Sequence, residues 1–260
     1  MAGTVNQYGL SRYIPSDIKQ IIRQRCGFGC VICGTAFYDY EHFDPEFKHA
    51  KEHNPEGMTL LCSQCNQDRA RGRLSAYTVA KANETPKCLQ KGFSNQFFDF
   101  WDKPIEVFFA GSRFFDCKNI IVINDYPILS ILPPVSLGMP MRLAGLLTDG
   151  CGKEVIWIKE NEFALNSDTW DIECVGPLIT ARSGKGDVCL RIRLQPPSAI
   201  VIERIEMLFS GVRLSGNENE LRLSLDGKGW STIANCSVES CYAGISLSNG
   251  RPAAVNDPVF

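Results

Sequence analysis

Residues 26–73, CGFGCVICGTAFYDYEHFDPEFKHAKEHNPEGMTLLCSQCNQDRARGR, are the stretch whose reading decides the fold. It holds two Cys-x-x-Cys knuckles, Cys30/Cys33 and Cys62/Cys65, with 28 residues between them. Each knuckle bends the chain so that two sulfurs point at one place, and two knuckles supply the four thiolates of a tetrahedral zinc site. Disulfides are the alternative use of the same cysteines, and they belong to oxidising compartments. Cys26 stands within metal reach of Cys30 as a fifth candidate ligand. It closes a helical run, however, and reads better as a packing residue.

Between the knuckles lies the pair Glu41-His42, and Asn66 follows the last cysteine of the second knuckle. The order C-x-x-C, acidic-His, a long loop, L-C-x-x-C-[HN] and a basic helix resembles the HNH nucleases, the ββα-metal endonucleases. The resemblance covers about a fifth of the chain. It implies a zinc-stabilised, treble-clef-like strand–strand–helix finger in which the four cysteines hold a structural Zn²⁺. It further implies that His42 acts as general base on water, while Glu41 and Asn66 hold one Mg²⁺ or Mn²⁺ ion. Glu41 stands where the family has Asp or His, and Asn66 where it usually has His. The family's middle Asn falls on Gly57, so Asn54, three residues earlier, is the candidate to orient the loop or the base. Arg69, Arg71 and Arg73 would lie along the DNA phosphate backbone, where contacts position the duplex without reading its sequence. A solvated basic face is the plainer reading of those three. His49 and His53 sit in the polar loop and read as solvated side chains.

Working outward, Pro15-Ser16 opens a helix with Ser16 as N-cap and Ile18, Ile21 and Ile22 on one face. Arg23 and Arg25 near its end suit the helix dipole, and Gly27 and Gly29 end it. Ala36–Phe43 reads as a strand, MTLL as its return, and a helix runs from about Asn66 to Gly72. Ser75 caps a further helix, SAYTVAKANE. The first domain is thus residues 1–92.

From residue 93 to 260 the character changes to short runs of aromatic and β-branched residues broken by Asp-Gly, Ser-Gly and Asn-Gly turns. VCLRIRL and ELRLSL alternate apolar with polar, as strands buried on one face do. A mostly antiparallel β sandwich or barrel is the expectation, so the fold class is α+β. VIERIEMLF could instead form a short helix, and Ser183-Gly-Lys-Gly-Asp187 reads as a hairpin turn rather than a phosphate cradle. The closing RPAAVNDPVF reads as a loose tail.

The bulk numbers fit this picture. With 260 residues, 44% apolar and 22% charged, the chain reads as an ordinary globular protein. No run approaches the roughly 18 apolar residues of a membrane span, and the N-terminus lacks a secretory core, so a cytoplasmic location is expected. The net charge of −2 divides into +3 over residues 1–91 and −5 over residues 92–260. Any attraction to phosphate is therefore local to the first part. The acidity of the second part favours a protein, small-molecule or nucleotide partner over a broad DNA grip. The eight cysteines outside the knuckles, of the chain's 12, carry no motif spacing and read mostly as small hydrophobes. A DNA endonuclease of prokaryotic defence or restriction type, with a C-terminal sensing domain, is the expected function. The rival is a catalytically weak or inactive zinc-stabilised adaptor whose β domain binds a partner.

Overall fold

The structure, a computed structural model, describes residues 5–101 and 103–253. Residues 254–260 of the expected tail lie outside them. The protein is mixed α+β and mostly strand. It divides into two units: residues Met1–Gln96 with Leu165–Cys174, and residues Phe97–Ala164 with Val175–Phe260. The expected boundary at 92/93 lies close to the first of these divisions. The return of Leu165–Cys174 to the first unit was not foreseen, because it depends on a partner far away in the sequence.

That partner is Arg23, on helix α1 (Ser16–Cys26). Its guanidinium grips Asp171 with two bonds of 2.8 and 2.7 Å, and also meets Glu173 at 3.0 Å and the Tyr40 hydroxyl at 2.8 Å. Arg23 is 4% exposed and Asp171 1%, so this is a buried ion network rather than a cation resting at a helix end. The Arg23 guanidinium is driven still further toward its charged form, the bonds to Asp171 and Tyr40 overriding its burial. Ser16 is the first helical residue and not the cap. Pro15 holds the cap position without a side-chain bond, since its fixed φ already suits the entry. Ile22 is buried, whereas Ile21 is 47% exposed. Gly27 ends α1 at φ 70°, a left-handed value that glycine adopts readily.

Strands β1 (Asp39–His42) and β2 (Met58–Leu61) form an antiparallel pair with Glu41 opposite Thr59 and His42 opposite Met58. β1 is shorter than expected because Ala36 donates to the Asn95 carbonyl at 3.0 Å and so leaves the hairpin. Helix α2 (Ser63–Ala70) starts three residues before Asn66, with Cys62 as its N-cap. Helix α3 (Ala76–Glu84) is capped by Ser75, whose hydroxyl accepts from the Thr78 N–H at 3.0 Å. Helix α4 (Lys87–Lys91) follows Pro86. Ile22, Cys26, Val31, Met58, Leu60, Leu61 and Val79 pack with three of the knuckle cysteines, Cys30, Cys62 and Cys65, as one core. Cys26 belongs to that core, 3.9 Å from the Thr59 hydroxyl, and not to the metal-ligand group.

The remaining strands follow in order. They are β3 (Phe93–Phe97), β4 (Glu106–Phe109), β5 (Ser112–Phe115), β6 (Asn119–Ile123), β7 (Tyr126–Leu132), β8 (Arg142–Thr148), β9 (Glu154–Lys159) and β10 (Glu162–Asn166). Then come β11 (Asp171–Val175), β12 (Leu178–Gly184), β13 (Asp187–Gln195), β14 (Ala199–Phe209) and β15 (Val212–Asn217). The last are β16 (Leu221–Ser224), β17 (Ser231–Ile233), β18 (Ser237–Glu239) and β19 (Ala243–Leu247). Within the second unit one sheet has the order β19-β6-β7-β8-β9-β10, and another runs β12-β13-β14-β15-β16-β17. Pairing is mostly antiparallel, and β4·β14, β5·β18 and β6·β19 are parallel.

The helix considered for VIERIEMLF is a strand. Ile200 and Ile202 are buried, then Ile205, Met207 and Phe209. The three-residue step from 202 to 205 that imitates a helical period is a bulge opposite Arg191 and Ile192. The Ser183–Asp187 segment is a hairpin turn, with Gly184 opposite Asp187 and Gly186 at φ 76°. Among the described residues no helix is long and apolar enough to cross a membrane.

Candidate functional site

The first knuckle is a tight turn. Gly34 N–H donates to the Cys30 carbonyl at 2.9 Å, and Cys30 N–H donates to the Thr35 carbonyl at 2.9 Å. The second knuckle is the start of α2, where the Cys62 sulfur accepts from the Cys65 N–H at 3.4 Å. Val31 N–H donates to the Leu60 carbonyl at 3.1 Å, which brings the two knuckles together.

The four sulfurs lie within 4.8 Å of one another, and those of Cys33 and Cys62 are 3.7 Å apart. Sulfurs placed roughly 2.3 Å from one zinc ion in a tetrahedron stand roughly 3.8 Å from each other. None of the four forms a disulfide, and Cys33 is the exposed member. Crowding sets the thiols against each other. The hydrogen bond from Cys30 lowers Cys33 to about 4, the same bond raises Cys30, and burial pushes Cys65 up to about 12. A cation relieves that conflict, and the donor set and spacing fit a structural metal such as zinc.

Strand β1 and helix α2 carry the remaining candidate residues. Asn66, on α2, donates through its side-chain amide to a carboxylate oxygen of Glu41, on β1. Burial raises the Glu41 carboxyl, while the Asn66 bond and the Arg69 charge oppose the rise. His42 is 8% exposed, and its Nε2 lies 3.2 Å from Nδ1 of His53. Burial lowers the His42 imidazole to about 4, aided by His53 and the positive charge of Arg12. At neutral pH the ring is therefore uncharged. Phe47 packs beside His42 with ring centroids 5.3 Å apart, and the Arg12 guanidinium lies 4.5 Å from the centre of the Phe47 ring.

Glu41 and Asn66 are thus in direct contact, whereas His42, the next residue on β1, sets its ring against His53 and Phe47. Asn54 is exposed and serves as a turn cap, accepting from Glu56 N–H at 3.1 Å at the head of the 3-10 turn Pro55–Gly57. Arg69 is half-buried and donates to the His42 carbonyl at 2.9 Å, so it braces the strand. Arg73 pairs with Asp68, and Arg71 is exposed. His53 is not a solvated loop residue as expected, since the loop folds back and seats it on His42. Its only signal in the sequence was scarcity, as one of three histidines in the chain. His49 is exposed and meets Gln7.

Position 57 takes a glycine for a steric reason. A Cβ there would stand 2.0 Å from the Asp44 carbonyl oxygen. Phe43 and Asp44 both donate to the Gly57 carbonyl, at 3.0 and 3.3 Å. Gly57→Ala is expected to cost about 1–3 kcal/mol by pushing these two backbones apart. A urea midpoint that does not move in this variant would contradict the steric account.

Comparison of the chain with protein-family models, curated proteins and solved structures gives no match.

Proposed function

We propose that this protein is a metal-dependent endonuclease of the HNH type that hydrolyses DNA phosphodiester bonds. The observation that supports the reading is the direct contact of Glu41 with Asn66, with the buried His42 the next residue along β1. A carboxylate and an amide oxygen are donors that suit a hard divalent ion, Mg²⁺ or Mn²⁺, with Asn66 turning its amide so that the oxygen faces the ion. Such an ion, when bound, supplies positive charge to the phosphate oxygens and the leaving oxygen.

In this scheme Nε2 of His42 donates to His53, which leaves the lone pair on Nδ1 to take the proton from water. The hydroxide so formed attacks phosphorus and the ester oxygen departs. Arg69 keeps the strand in register by holding the His42 carbonyl. Arg71 and Arg73, at the end of α2, are offered to the phosphate backbone. The cysteine cluster, loaded with Zn²⁺, is scaffold and closed to substrate. The second unit supplies recognition. Support for a small ligand there comes from a cavity of about 360 Å³ lined by Tyr126, Leu132, Leu146, Trp157 and Lys159. A prokaryotic defence or restriction effector in the cytoplasm is the setting in which such an arrangement serves, by analogy of architecture alone.

Purified, zinc-loaded protein is expected to nick plasmid DNA in Mg²⁺ or Mn²⁺. His42→Ala should reduce the rate by roughly 10²–10⁴-fold, the usual worth of a general base. Its zinc content should not change. Nicking that persists in this variant removes His42 from the mechanism. Wild-type protein inert with every divalent ion, and with candidate ligands of the second unit added, would favour the zinc-stabilised adaptor.

A further inference from the structure

Two cysteines that the metal cluster does not use meet inside the second unit. Cys117 joins β5 to β6, and Cys241 joins β18 to β19. Because β5 pairs with β18 and β6 with β19 in parallel, the two connections cross between sheets side by side. Backbone bonds flank them closely. Ser240 N–H donates to the Phe115 carbonyl at 3.2 Å, and Lys118 N–H donates to the Cys241 carbonyl at 3.0 Å. Neighbouring segments held in this way stand roughly 4.8 Å apart, inside the span of roughly 4.4–6.8 Å between Cα atoms that a disulfide bridges.

The side chains follow the backbone. The Cys241 thiol donates to the Cys117 sulfur at 3.2 Å, and the Cys117 thiol points at the carbonyls of Phe115 and Val238, at 3.4 and 3.5 Å. Both cysteines line a cleft of about 340 Å³, together with Asp116, Lys118, Ile131 and Met141. Cys117 is buried and Cys241 half-exposed, so the pair has one sulfur within reach of solutes and one behind it.

We propose that Cys117 and Cys241 are a redox-active dithiol that closes to a disulfide when a hydroperoxide enters this cleft. The Cys241 sulfur, as thiolate, attacks the outer peroxide oxygen. The O–O bond breaks, an alcohol or water leaves, and Cys241 becomes a sulfenic acid. The Cys117 sulfur then attacks the Cys241 sulfur, the S–S bond forms, and water departs with the Cys117 proton. Two thiols thereby lose two electrons and two protons, and the peroxide accepts both. Burial, together with the hydrogen bond from Cys241, pushes the Cys117 thiol up to about 11, so Cys117 rests as a thiol and the more exposed Cys241 is the sulfur that meets peroxide first. The bond pins the connection between β18 and the edge strand β19 to that between β5 and β6, joining positions 124 apart in the sequence.

The full chain, loaded with zinc, is treated with a small excess of hydrogen peroxide and mapped by mass spectrometry without reduction. The peptides bearing Cys117 and Cys241 should be joined and together lighter by two hydrogen atoms, with zinc retained. The melting temperature should rise by roughly 5–10 °C and fall back on adding a thiol reductant. Cys117→Ser, which keeps the fold and removes the resolving sulfur, should accumulate a Cys241 sulfenic acid that a dimedone probe captures. Recovery of both cysteines as free thiols would overturn the proposal. So would oxidation that goes instead to the knuckle cysteines with loss of zinc, or a Cys117→Ser variant whose Cys241 takes no label.

Discussion

Stripping zinc from the protein with a strong chelator is expected to unfold the hairpin and helix that carry His42, Glu41 and Asn66. The four sulfurs are not an appendage to a finished core. Cys30, Cys62 and Cys65 are members of it, packed among Ile22, Val31, Met58 and Leu61. Without a cation the thiols must either stay protonated or place several negative charges within 4.8 Å of each other. Structural zinc in small fingers contributes about 10–16 kcal/mol of apparent binding free energy, which is also their folding energy. Residues 26–91 should therefore become sensitive to protease on chelation, and the proposed nicking, assayed in excess Mg²⁺ after the chelator is removed, should be lost and return only on adding zinc back. The cysteines should differ among themselves. Cys62→Ser removes a buried sulfur that also caps α2, and should abolish stable zinc binding. Cys33→Ser removes the exposed ligand, where water can stand in, and should weaken binding without abolishing it. Cys26→Ser should leave the zinc content unchanged, because Cys26 lies outside the ligand group. A chelated protein with unaltered protease resistance would show that the cluster is not what holds this unit together.

The second large effect is expected at Arg23. Replacing it with alanine leaves Asp171, 1% exposed, as a buried carboxylate without its two-pronged partner. Removing one member of a buried pair costs about 3–5 kcal/mol, mostly because the remaining charge is stranded away from water. Glu173 and Tyr40 lose a bond as well, and Tyr40 neighbours Glu41 on β1. Arg23→Ala should therefore lower the denaturation midpoint of the first unit sharply and loosen Leu165–Cys174, read as faster amide exchange there. Arg23→Met combined with Asp171→Leu should recover most of the loss, since a packed apolar pair avoids the desolvation cost that the ion pair must overcome. A single alanine variant that loses less than about 1 kcal/mol would mean that water reaches Asp171 and the network is worth no more than a surface pair.

The same two features separate what was legible in the chain from what was not. The cluster of four cysteines could be read directly because its geometry is local: two cysteines three residues apart, twice, place sulfurs by turn chemistry. His42 on a strand, Asn66 just past the second knuckle and the Ser75 cap were likewise matters of short-range order. The hairpin at Ser183–Asp187 was carried by its glycines. The expected helix start at Asn66 was late because Cys62, a metal ligand by motif, is at the same time an N-cap. The option of a helix at residues 201–209 arose from a bulge, which shifts the apolar alternation by one residue and imitates a helical step.

By itself the sequence determined where four sulfurs and an acidic-His pair sit along the chain, and that strands dominate after residue 92. Only the tertiary structure decided the contacts made across long separations. These are His53 folded onto His42, Arg23 joined to Asp171 across 148 residues, Gly57 pressed against Asp44, and Cys241 brought to Cys117. The physical reason is range. Turns, caps and knuckles are fixed by forces acting over a few residues, whereas burial of a charge, a steric limit or a thiol contact depends on which distant backbone comes to lie beside it.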